Sequence, residues 1–78
     1  MSRILTKGER MNIKEYRMSK GLTQTQVGDK LGISRTTVAM WEAGLSMPRT
    51  DKLQELSNLY ECTVDDLLVA LNEENNQA

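Results

Sequence analysis

Residues 24–41, which read QTQVGDKLGISRTTVAMW, constrain this chain more than any other stretch. Val27 and Leu31 stand four apart, one helical turn, and Val38 and Trp41 resume the apolar spacing three apart. Gly32, Ile33 and Ser34 interrupt the pattern between them. Two short helices meeting at a tight bend satisfy this spacing. Gly28, lacking a side chain, lets the two helices approach closely, and Gly32 takes the φ > 0 conformation that a short bend needs. Ile33, Val38 and Trp41 then clamp the second helix at a fixed angle. That leaves Arg35, Thr36, Ala39 and Met40 facing outward.

This is a helix-turn-helix arrangement, and its outward face has the chemistry to enter a DNA major groove. An Arg donates two hydrogen bonds to guanine O6 and N7, and the carbons of Thr, Ala or Met meet a thymine methyl. A generic exposed helix face would more often hold Glu and Lys. Arg35 is therefore the leading candidate for base contact, with Thr36, Ala39 and Met40 beside it. Ser34 is placed to cap the second helix and to serve as a phosphate ligand. Trp41, at its spacing from Val38, reads as core rather than as a base-stacking platform. Cys62 reads as a small buried apolar residue.

The chain is 78 residues long with a net charge of −1, an unpromising balance for a partner of DNA. The average hides a polarity. Residues 1–52 hold all ten Lys and Arg against five acids, a net +5, whereas residues 53–78 hold six acids and no base, a net −6. One surface is thus suited to a polyanion and the other to solvent or a partner. Lys30 is a candidate phosphate contact on the basic side, with Lys14, Lys20, Lys52 and the arm at residues 3–7 as further possibilities. A single domain of this size buries only ~60% of its unfolded surface and has little room for an enzyme's deep pocket. With no histidine and one cysteine, an intrachain disulfide and a cysteine-rich zinc site are excluded, no catalytic constellation is present, and no metal or cofactor is expected. Short apolar runs and the lack of a signal-peptide pattern read as a soluble cytoplasmic protein without a membrane partner.

Five helices fit the remaining pattern, an all-α domain over residues 1–71. The first is expected from Thr6, which has capping-box spacing to Glu9, to Lys20, with Ile13 and Tyr16 inward. Thr23 and Gln26 form a second box, and Ser34 caps the third helix. Pro48 marks a loop, Thr50 is the expected cap of the fourth helix, and Leu53, Leu56, Leu59 and Tyr60 line its apolar face. Thr63 and Asp66 open a fifth helix carrying Val64, Leu67, Leu68 and Leu71. Residues 72–78, NEENNQA, lack apolar periodicity and read as a disordered acidic tail.

Over residues 13–68 the chain resembles the XRE family, the Cro and phage-repressor type of lambda-repressor-like helix-turn-helix domain. The resemblance rests on the LTQ opening, the KLGIS turn, the WEAG that closes the second motif helix, and the final DDLL. It implies a compact five-helix domain that binds a double-stranded operator, commonly as a homodimer, and controls transcription. It also implies that Gln24, Arg17 and Arg49 lie beside the DNA backbone, and that Arg17 and Glu42 form an ion pair beneath the DNA surface. Two departures stand out. Glu61 occupies a position where the family often has Gly, and the connection LSMPR carries Arg49 as its only base.

The reading is thus a small stand-alone transcriptional regulator, foremost a repressor, that binds a palindromic operator. Val69 adds apolar surface to the last helix, so the homodimer is expected through the fourth and fifth helices. The alternative is a protein-interaction module, such as an antitoxin or coactivator, kept open by the acidic second half; a regulatory protein partner fits either reading.

Overall fold

The computed structural model describes residues 11–75, with side chains to residue 72. Five helices follow in order: α1 Ile13–Ser19, α2 Gln24–Leu31, α3 Arg35–Glu42, α4 Thr50–Tyr60 and α5 Val64–Asn75. No strand occurs among the described residues.

Three of the helices start in reciprocal caps. The Thr23 side chain accepts from the Gln26 backbone N–H while Gln26 returns the bond to Thr23, and Thr63 and Asp66 do the same ahead of α5. For α1 the cap is Asn12 with Glu15, each bond 2.8 Å. The expected start at Thr6 falls outside the described residues, and a helix continuous from there is corrected by the extended backbone of Asn12, φ −84° and ψ 173°. Asn12 and Glu15 have the same spacing as Thr6 and Glu9. Starting the helix here places Ile13 and Arg17, one turn apart, on the buried side.

The α2–α3 bend forms as its glycines require. Gly32 adopts φ 71° and ψ 33°, and the N–H of Ile33 reaches back to the Gly28 carbonyl at 2.9 Å. A Cβ on Gly28 would lie 2.7 Å from the Ile33 carbonyl oxygen, so only glycine fits without moving the backbone. Ser34 caps α3 through a 3.1 Å bond from the Thr37 N–H.

Two boundaries differ from expectation. Arg49, not Thr50, is the N-cap of α4, without a side-chain capping bond. Its carbonyl accepts from the Leu53 N–H at 2.8 Å, because the rotation that buries Leu53, Leu56 and Tyr60 draws Thr50 into the first turn. At the other end, α5 continues past Leu71 to Asn75, four residues into the stretch expected as tail. Extending an existing helix adds one bond per residue fixed, which needs no apolar side chain. Residues 76–78 lie outside the described residues.

The core is mostly aliphatic. Ile13, Val27, Val38, Leu56, Leu67 and Leu71 are fully buried, and Trp41 and Tyr60 close it beside them. Ala70 joins it as well. Cys62 packs at the margin, half-buried, and burial pushes its thiol up to about 11, with Asp66 adding to the shift.

Candidate nucleic-acid interface

Val38 and Trp41 anchor α3 in the core with 1% and 4% of their surface exposed. On the same helix Arg35, Thr36 and Met40 are exposed and Ala39 half-buried. Offsets of one, four and five residues from Arg35 put these four on one face. The candidate reading face is therefore carried by a helix whose opposite side is fixed.

Behind that face runs a chain of polar contacts through three helices. Arg17 of α1 donates to Glu42 of α3 through Nε at 2.6 Å and Nη2 at 3.2 Å, and through Nη1 to the Leu22 carbonyl at 2.8 Å. Glu42 Oε1 also accepts from Gln24 Nε2 of α2 at 3.0 Å. Gln24 Oε1 in turn accepts from Arg35 Nη1 at 3.1 Å. The charged ends of this pair are sheltered, with side-chain exposures of 11% for Arg17 and 6% for Glu42. The hydrogen bond to Glu42 raises the pKa of Arg17, against the opposing effect of burial. Tyr60 sits close enough to feel both charges, and burial raises its phenol first, with Glu42 adding to the rise. A planar fork that holds a carboxylate on one edge makes Arg the fitting residue for this junction.

The remaining expected contacts fall into separate places. The Lys30 and Arg49 side chains are exposed and have no polar partner among the described residues. Ser34, also exposed, spends its hydroxyl on the Thr37 N–H and on Thr37 Oγ1. Gln24 is half-buried, with both ends of its amide already bonded within the protein. Arg17 is the most enclosed of the set, at 9% exposure. Lys52 does not stand free as a phosphate ligand. It donates to the Leu31 carbonyl at 2.8 Å, closing the C-terminal end of α2, where a cation is favoured. Lys20 is likewise held, by Glu61 at 2.5 Å, which lowers the pKa of Glu61.

Sequence reasoning missed the Gln24 bridge between Arg35 and Glu42. Its one signal was that Gln24 and Arg35 both open their helices, immediately after the caps Thr23 and Ser34. Among the described residues no acidic, cysteine or histidine cluster is arranged to hold a metal ion, and no helix is long and apolar enough to cross a membrane.

A helix-turn-helix family profile matches residues 13–67, from the first residue of α1 into α5. The chain belongs to the XRE-type helix-turn-helix family. Among its relatives, the HTH-type transcriptional activator BcrR of Enterococcus faecalis is 36% identical over 72% of this chain and 28% of its own length. The HTH-type transcriptional regulator ImmR of Bacillus subtilis is 39% identical over 72% of the chain and 44% of its own. The cryptic phage CTXphi transcriptional repressor RstR of Vibrio cholerae is 33% identical, covering 73% of the chain and 54% of the repressor. The chain thus spans from about a quarter to about half of these relatives. No solved structure gave a significant match.

Proposed function

We propose that this chain is a sequence-specific regulator of transcription that binds double-stranded operator DNA with α3 in the major groove. The observation that carries the reading is the exposed Arg35–Thr36–Ala39–Met40 face on a helix pinned behind by Val38 and Trp41. Phosphate contacts are assigned to Gln24, Ser34, Lys30, Arg49 and Arg17. Repression is the favoured mode, as in the similar phage repressor, and the cytoplasm is the site of action.

The operator is proposed to be palindromic and the protein a homodimer through α4 and α5. In support, Val69 of α5 is 37% exposed, and Leu59 and Leu68 beside the core are only half-buried. Two half-sites then lie about one DNA turn apart, and linking two weak modules raises affinity through effective concentration. Selection of bound duplexes from random DNA, with light scattering on the complex, tests this. A palindromic consensus, salt-sensitive affinity and a two-protomer mass are expected. Absence of duplex binding at low salt overturns the reading and points to a protein-interaction module. A monomer both alone and on DNA overturns the dimer.

A further inference from the structure

We infer that the half-site read by α3 contains one guanine recognised by hydrogen bonds, beside pairs recognised through thymine methyl groups. This rests on the DNA-binding reading above. Cytosine N4 is read by a carboxylate, and adenine N6 and N7 by the amide of Asn or Gln. None of Arg35, Thr36, Ala39 and Met40 is either. The one acid of α3, Glu42, is sheltered and held by Arg17 and Gln24. The nearest amide, Gln24, is bonded at its oxygen by Arg35 and through its nitrogen to Glu42. Arg35 is therefore the one strongly directional reader on the face.

Its direction is set before DNA arrives. Nη1 is held at 3.1 Å by Gln24, which is held by Glu42, which is held by Arg17. The Nε and Nη2 N–H groups remain for a base, and a two-donor edge matches guanine O6 and N7. Less rotamer freedom is then lost on binding. The neighbours offer carbon instead: the Thr36 and Ala39 methyls and the Met40 thioether chain, 39% exposed. The Thr36 hydroxyl both donates and accepts, so it selects no base by itself.

The test starts from the duplex selected with the full chain, remade with chemically altered bases. Replacing the selected guanine by 7-deazaguanine, which lacks the N7 acceptor, is expected to weaken binding about tenfold. Replacing selected thymines by uracil removes only the methyl and is expected to cost about fourfold each. A repeat selection with Arg35→Gln is expected to move the preference at the guanine pair to adenine, since an amide fits N6 and N7. A consensus that survives both base alterations at full affinity overturns this inference and leaves the DNA-binding reading standing. An Arg35→Gln consensus that keeps the guanine also overturns it. Failure to select any duplex overturns both.

Discussion

The α1–α3 region and the α4–α5 region solve different problems with different forces. In the first, orientation is set by directional bonds: Arg17, Glu42, Gln24 and Arg35 tie three helices together behind an exposed face. In the second, Leu53, Leu56, Tyr60, Leu67 and Leu71 bury a continuous apolar interior, and the polar straps to the first region are the exposed Lys20–Glu61 pair and the Lys52 bond to the Leu31 carbonyl. Apolar burial is non-directional and proportional to area, so it supplies stability without fixing angles finely. Hydrogen bonds to charged groups are modest in net energy but strict in geometry. The helix proposed to offer four side chains to DNA adds the second kind of force to its Val38 and Trp41 anchors, whereas its supporting helices rely mainly on the first.

If this division is right, the largest stability loss should come from the α4–α5 side. Leu67→Ala, at a fully buried position, is expected to cost about 3–4 kcal/mol by urea denaturation, a large share of a small domain's stability. The protein that remains folded should select the same DNA consensus. A shifted consensus would break the contrast.

Glu42→Gln tests the other side. It removes the charge facing a sheltered Arg17 while keeping an amide that can still meet Gln24. A stability loss of about 2 kcal/mol is expected, below the loss for deleting a fully buried partner. DNA affinity should fall for all sequences alike, with the preferred motif intact. An unchanged melting temperature together with unchanged affinity would show the pair to be inert.

Gly28→Ala sharpens the comparison from the backbone. The added methyl meets the Ile33 carbonyl at 2.7 Å, so the α2–α3 bend must open. A loss of about 1–2 kcal/mol is expected by thermal denaturation, together with weaker DNA binding, because α3 tilts on its bed. Stability lost without any change in binding would mean that the angle of α3 is set elsewhere.

The smallest effect, and one of opposite sign, is expected at Glu61. This residue closes α4 in the left-handed region, φ 56° and ψ 48°, where a side chain is strained. Glu61→Gly should relieve that strain and raise the melting temperature by about 3 °C, partly offset by loss of the exposed Lys20 pair. DNA binding should not change. A lower melting temperature would show that the strap to α1 outweighs the strain.

The parts legible in the sequence were those whose cause is local. The Thr23–Gln26 and Thr63–Asp66 caps, the Gly32 bend and the Ser34 cap all follow from short-range hydrogen bonding and from φ restrictions within a few residues. Val27, Leu31, Val38 and Trp41 were legible as core because helical periodicity alone puts them on one side. The Arg17–Glu42 pair was available from family resemblance, since nothing local joins residues 25 positions apart. The roles proposed for the exposed α3 residues follow from their side-chain chemistry.

What the sequence by itself determined, then, is the set of helices, the bend between α2 and α3, and which faces are apolar. The tertiary structure decided where the described helices begin, starting α1 after Asn12 and drawing Thr50 into the first turn of α4, with Ile13, Arg17 and Leu53 buried. It also decided where long side chains end. Lys52 reaches the Leu31 carbonyl, and Gln24 bridges Arg35 to Glu42, because folding brings the ends and flanks of separate helices within 3.1 Å or less. A flexible side chain can satisfy many partners in an unfolded chain. Its actual partner is fixed only when packing removes water from the alternatives.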